Sequence, residues 1–573
     1  MTDPTVVARA PRPGRRSVAA LDHRARRWPV AVWRAGWVIA GLVCLAFLTI
    51  FFAAPAANLI AHGFVDEDGH PTWSTMASVM TSPRTLRILR FTLGQATLAT
   101  AVCLALGIPG AHLLYRVRWP GRLVARGLVT VPFVLPSVVV GVAFRTLLAS
   151  NGWLGFLGLD GSWVAITAAM VFFNYSVVVR TVGSTWAQLD PRRGEAASAL
   201  GASPVRVWWT VTLPALAPAI ASAAAVVFLF CASAFGIVLI LGGTRYSTLE
   251  TEIYIQTVEF LDLPAASALA IVQLVVVGLC LYLSGRAQSR LQRSLGGNGR
   301  QLRFSLRRDL AAVVVTGIVA VGLVLPLATL VVRSLRVDGA WSWGYYRALA
   351  ATPDVMTVSV WQSMLNSVST AAKATVLAVG LGSVLSLILS RRPRSRVASN
   401  GLRIVDALVM LPLGVSAVTV GFGFLITLDR PPLDLRTSPV LVPIAQAMVA
   451  IPLVVRVMLP SLRGIDPRQQ EAAAALGAPP WRVLGTVDLP VLARALGLGI
   501  GFALATSLGE FGATSFLARP ETMTLPVAIE RLISRPGAQN YGMAMAASVV
   551  LALATVVIMM LAERARPPEV SSW

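Results

Sequence analysis

Apolar residues along this chain gather into blocks of bilayer length, separated by short segments that carry most of the charge. The blocks lie near 36–61, 90–115, 124–148, 163–186, 215–241 and 265–285, and again near 310–332, 362–390, 402–428, 438–462, 493–517 and 542–562. About 20 apolar residues in a helix cross a hydrocarbon core roughly 30 Å thick. The pattern predicts an all-α polytopic membrane protein with twelve transmembrane helices in two sets of six. Two blocks are interrupted by proline and glycine, VPFVLPSVVVG (131–141) and MLPLGVSAVTVG (410–421). Irregular backbone at membrane depth is tolerated where it is buried in protein or lines a cavity, so Pro136 and Pro412 are candidates for lining a passage.

Charge orients the spans. With the N-terminus inside, the inside segments hold 35 of the 49 basic residues, the excess expected of cytoplasmic loops. Both termini are then expected in the cytoplasm. The chain divides into a basic tail (1–35), a first transmembrane domain (36–285), a linker rich in Arg, Gln, Ser and Gly (286–309), a second transmembrane domain (310–563) and a short tail (564–573).

The two sets of six are related. DPRRGEAASALGASPVRVWWTVTLP from Asp190 and DPRQQEAAAALGAPPWRVLGTVDLP from Asp466 share 17 of 25 positions without a gap, at an offset of 276. The offset extends to Phe235-Gly236 and Phe511-Gly512, while Pro132 and Gly141 match Pro412 and Gly421 at an offset of 280. Six spans restore the side of the membrane, so the repeats are parallel, related by an axis along the membrane normal.

Each copy of the block falls between the fourth and fifth spans of its set. Asp190-Pro191 and Asp466-Pro467 suit a helix start, with Asp as N-cap and Pro in the first turn. Gly201 and Gly477 suit the left-handed residue that ends a helix. Pro204 and Pro479 suit the start of a second short helix. The block predicts a helix–turn–helix elbow, twice.

This block resembles the signature E-A-A-x3-G-x9-[ILV]-x-L-P of ABC import permeases. The first copy supplies Glu195, Ala196, Ala197, Gly201, Val211, Leu213 and Pro214, the second Glu471, Ala472, Ala473, Gly477, Val487, Leu489 and Pro490. The resemblance covers both halves and implies the type I ABC importer permease fold. It also implies that the elbows dock on two copies of a cytoplasmic ATPase subunit, which would carry ATP-Mg, and that an extracytoplasmic solute-binding protein delivers the cargo. This chain itself is expected to bind no cofactor and no metal. The fused layout resembles thiamine and ferric-iron permeases, and the stretch LGGTRYSTLETEIYIQTVEFLDLPAASALAIVQL resembles thiamine permeases more than the others. SLGEFGAT in the second half is also similar to sulfate and molybdate permeases.

Composition sharpens this in three places. A P-loop needs Gly-Lys-Ser/Thr, and the single lysine, Lys373, sits in AAKAT within a span. The chain is therefore expected not to hydrolyse ATP and not to be an enzyme. The net charge of +23 comes almost entirely from scattered arginines, with no extended basic face for phosphates, so no nucleic-acid partner is expected beside membrane lipid. The four cysteines lie in apolar runs, as small hydrophobes do.

Polar groups inside spans are costly and often functional. Glu510 has Ala234 as its repeat counterpart, so it breaks the internal symmetry and is a candidate for attracting a cationic cargo. Asn174 is a second pathway candidate, with interhelical bonding as its alternative role. Setting the paired elbows aside, parallel repeats would also fit an ion-coupled secondary transporter. Dependence on a separate ATPase separates the two.

Overall fold

The computed structural model describes residue 33 and residues 35–65, 70, 72–243, 245–291, 302–391, 395–429, 434–435 and 438–564. Most of the N-terminal tail, the middle of the linker and residues 565–573 lie outside the described residues. The first half is built from α1 (Ala35–His62), α2 (Pro83–Arg116), α3 (Arg122–Val134), α4 (Ser137–Leu148), α5 (Trp163–Gln188), α6 (Arg192–Ala199), α7 (Pro204–Ala232), α8 (Gly236–Gly242), α9 (Leu249–Val258) and α10 (Leu263–Leu291). The second half repeats that order as α11 (Leu306–Ser334), α12 (Val360–Ser390), α13 (Arg396–Gly414), α14 (Ala417–Thr427), α15 (Leu441–Arg463), α16 (Pro467–Ala475), α17 (Pro480–Leu508), α18 (Gly512–Leu517), α19 (Leu525–Ile533) and α20 (Ala538–Arg564).

Ten of these helices are long and apolar enough to cross a bilayer, and twelve spans result if each of two bent pairs counts as one. The blocks at 124–148 and 402–428 are not continuous helices. The chain turns by 99° between α3 and α4 and by 98° between α13 and α14. The first break lies at Leu135-Pro136, because a residue before proline is pushed out of the helical region, and Leu135 has ψ 141°. The second break has no proline. Val415 is extended, and the Ser416 hydroxyl accepts the Thr419 amide at 3.0 Å to start α14. Pro132 and Pro412, the matching prolines, lie inside α3 and α13 rather than at the breaks.

The sequence boundary between the halves is not the packing boundary. Cys44, Leu48 and Phe52 of α1 bury against Ala374, Phe424 and Met448 of the second half. Asn58 on α1 donates to the carbonyl of Ile426 and the hydroxyl of Thr427, both at 3.0 Å. Reciprocally, Val319 and Leu323 of α11 join the first half's core. Where the linker re-enters the described chain, Leu302–Arg303 forms a two-residue parallel bridge with Val117–Arg118. Each half therefore holds the other by its first helix. A third core runs between the halves and combines Val138, Phe235 and Ile253 with Phe422, Phe511 and Ile529.

Candidate functional site: paired elbows and the contact between the halves

Helix α6 runs from Arg192, so Pro191 rather than the expected Asp190 is its cap residue, because the Asp190 carboxylate reaches past Pro191 to accept the Arg192 amide at 3.0 Å. In the second half Asp466 is the N-cap of α16 and accepts the Arg468 amide at 3.0 Å. Both helices end alike. Gly201 has φ +84° and Gly477 φ +82°, a conformation that L side chains rarely adopt. The amides of Ala202 and Gly201 return to the carbonyls of Ala197 and Ser198, and those of Ala478 and Gly477 to Ala473 and Ala474. This double closure is the Schellman ending. The following helix begins at Pro204 in the first elbow and at Pro480 in the second. Pro479, expected in the first helical position, precedes that helix as its cap, at the place of Ser203. One turn on, each exit helix widens into a π segment at equivalent positions, Trp208–Thr212 and Leu484–Asp488.

The outer surfaces of the elbows match. Glu195 and Glu471 are exposed, and among the described residues neither carboxylate takes a hydrogen bond or ion pair. Sequence reasoning passed over the apical leucines. Leu200 is 89% exposed and Leu476 90%, each immediately before the left-handed glycine. An identical leucine placed bare at both apices is surface of the kind that partners cover, and each elbow also exposes one tryptophan, Trp209 in the first and Trp481 at a different position in the second. The signal was present in the repeat, where Leu-Gly follows the alanines in both copies. Leu213 and Pro214, and Leu489 and Pro490, enter the α7 and α17 barrels just past the π segments.

The inner sides of the elbows differ. In the first, Trp208 stacks on Trp186 with ring centres 5.5 Å apart, and Trp186 packs against His112 at 5.2 Å and under Arg116 at 5.7 Å. In the second, Leu462 and Leu484 stand where those tryptophans do, and an ionic clamp replaces the stack. Asp488 is 2% exposed and accepts from Arg391 at 2.7 Å and from Gln470 at 2.6 Å. Thr212 and Gly194 occupy the places of Asp488 and Gln470 in the first half.

At the centre, Phe235 and Phe511, repeat counterparts, stack face to face with ring centres 5.2 Å apart and planes 17° apart. The breaks flank this pair. A Cβ on Gly236 would meet the Ser137 Oγ at 2.6 Å, and one on Gly509 would meet Pro136 at 3.0 Å. Pro136 thus stands at the contact between the halves. Pro412 lies within α13, before the second break. Asn174 is inside the first half's own bundle, where it donates to Met170 on its helix and to Cys231 on α7, and it faces no residue of the other half in these bonds.

Glu510 is buried, and its bonds account for both of its oxygens. They accept the amides of Ala513 (2.7 Å) and Thr514 (3.0 Å), and the Thr514 hydroxyl donates to one of them as well. The carboxylate caps α18, meeting donors that a helix start leaves unsatisfied. Ala234 gives α8 no such cap. Lys373, the chain's single lysine, is exposed on α12.

The sequence reading missed Glu250. It is fully buried on α9, accepts from Gln273 at 3.0 Å and lies beside Ser416 at the second half's break. Its repeat counterpart is Pro526. Hydropathy had placed it in a loop, and the only signal was its position in Thr-Leu-Glu, where Thr248 and Thr251 form a capping box.

Comparison with known proteins adds the following. The profile of the family described as binding-protein-dependent transport system inner membrane component matches residues 103–294 and 348–566, once in each half. The chain is 28% identical over 514 residues to the thiamine transport system permease protein of Escherichia coli (strain K12), covering 86% of this chain and 90% of that protein. It is 26% identical over 501 residues to the thiamine transport system permease protein of Brucella abortus (strain 2308), covering 84% and 87%. The sulfate transport system permease protein of Salmonella typhimurium (strain LT2) is 32% identical over 263 residues, covering 44% of this chain and 93% of that protein.

Proposed function

The chain belongs to the family of inner membrane components of binding-protein-dependent transport systems, the permeases of ABC importers, and on that premise we propose that it carries thiamine and is driven through its two elbows. Two copies of a separate cytoplasmic ATPase would each grip one elbow and carry ATP-Mg. Both chain termini would lie on that side, and a solute-binding protein would dock on the opposite face. The observation that carries the coupling role is the match between the elbows' outer surfaces, a bare glutamate and a bare leucine at equivalent places on each. A connecting loop with no partner has no physical reason to expose Leu200 and Leu476 alike. An ion-coupled mechanism gives these surfaces nothing to do.

Two things bear on the cargo. The relatives named for thiamine align across both halves, whereas the sulfate relative spans a single half's length. Glu250 also places a carboxyl group beside the contact between the halves, which favours a cationic cargo, thiamine or iron, over an oxyanion. The stacked Phe235 and Phe511 close that contact, and parting the halves would part the rings.

The test is ATP-dependent uptake of labelled thiamine into vesicles holding the complete transporter. Replacing Glu195 and Glu471 together by Ala should leave the permease in the membrane at normal abundance and abolish uptake. Uptake that survives intact would refute the coupling role. Uptake of iron or sulfate instead of thiamine would refute the cargo.

A further inference from the structure

Between the end of α12, the start of α13 and the end of α15 lies a cavity of about 310 Å³ lined by Arg391, Arg403, Arg463, Ser390, Ser399 and Asp406. Three guanidiniums face one carboxylate there. Arg391 spends part of its charge on Asp488, and Arg463 reaches the Leu389 carbonyl at 3.5 Å. Arg403 has no ion-pair partner among the described residues. Arg391 and Leu402 are shared with a second cavity of about 950 Å³. Its walls are apolar: Trp37, Leu42 and Leu45 of α1, Leu385 and Ile388 of α12, and Val405 of α13. Its far wall is the inner side of the second elbow, including Gln470 and Val483.

A basic pocket opening onto a long apolar groove, at the end of membrane helices, has the two-part chemistry of an anionic glycerophospholipid. Serine hydroxyls and arginine forks suit a phosphate. The groove, with Val38 and Leu42 more than half exposed on its α1 side, suits an acyl chain, and free phosphate would have no use for it. We propose that this pair of cavities binds one anionic phospholipid, which wedges between α1 and the second elbow and touches the Arg391–Asp488–Gln470 clamp. The basic part of the site belongs to the second half alone. Leu123 and Ala187 stand where Arg403 and Arg463 would be in the first. Lipid therefore acts on one elbow and not the other. The membrane side of the site rests on the orientation proposed above, whereas the binding itself does not.

The test uses the full chain purified in detergent, with bound lipid read by native mass spectrometry after exposure to equal phosphatidylglycerol and phosphatidylcholine. Selective retention of one phosphatidylglycerol is expected. Arg403→Gln with Arg463→Gln should lower that retention roughly tenfold, since each basic group near a lipid surface contributes appreciably to anionic lipid binding. Arg403→Lys should keep most of it, and Arg347→Gln on the opposite face should change nothing. Equal retention of both lipids would overturn the proposal. So would displacement by millimolar inorganic phosphate, which would make this a simple anion site, or an equal loss from Arg347→Gln. Non-selective retention alongside intact thiamine uptake would remove the lipid site and leave the transport reading standing.

Discussion

The two elbows are alike outside and unlike inside. Their exposed glutamates, apical leucines and left-handed glycines coincide, and 17 of 25 positions are identical. Their attachments to the membrane helices use different forces. Trp208 on Trp186 is a tilted aromatic pair, whereas the buried Asp488 with Arg391 and Gln470 is a charge-assisted network. On the proposed docking, a surface that meets the same partner twice is held to one solution. A fastening inside the chain needs only to be rigid, and stacking or ion pairing serves equally. The breaks show the same freedom, since Pro136 makes one by steric exclusion and Ser416 makes the other by capping.

The comparison is most easily broken at the central contact, where the halves are expected to behave alike. Phe235→Ala and Phe511→Ala each remove a buried ring, at a cost of about 3–5 kcal/mol, and should lower the thermal midpoint by similar amounts. Each should also let small solutes leak through proteoliposomes. A leak from one variant only would show that the stack is not a shared closure.

The fastenings come next. Asp488→Ala removes the buried acceptor of Arg391 and Gln470, partners that reach water themselves, at about 1 kcal/mol, while Thr212→Ala should stay within about 0.5 kcal/mol. Protease cutting in the second elbow, with the first unchanged, would report the difference. Equal cutting of both elbows in Asp488→Ala would overturn the separate fastening.

The smallest effect concerns the two unmatched carboxylates. Glu510→Ala should cost about 0.5–2 kcal/mol, the range of a lost helix cap, with Glu510→Gln closer to the parent because one acceptor remains. Glu250→Gln should instead reduce thiamine uptake at unchanged abundance. If Glu510→Gln stops uptake while Glu250→Gln does not, the assignment of the two is reversed.

Elbow geometry was legible because it is local. Caps, a positive-φ glycine and proline positions act within a few residues, and the differences are one-residue shifts: Pro191 rather than Asp190 stands at the cap of α6, and Pro480 rather than Pro479 takes the helical position. Glu510 was visible as an oddity in an apolar block, but its bonds to Ala513 and Thr514 depend on how the chain turns at Phe511. Glu250 was invisible as a buried group. Its burial comes from Gln273 on α10 and from the other half's break, and no window along the chain contains both.

The sequence by itself determined the membrane class, the approximate spans, the duplication and the elbows. Each follows from hydropathy over bilayer-length runs or from short-range backbone chemistry. Tertiary structure alone decided that α1 and α11 cross to the opposite half, that two apparent spans bend by nearly a right angle, and which carboxylate stands beside the contact between halves. Lipid is as apolar as a neighbouring helix, so hydropathy places a helix in the membrane without saying which helix it will touch. That choice is made by shape and by bonds such as Asn58 to Ile426, formed between residues 368 positions apart.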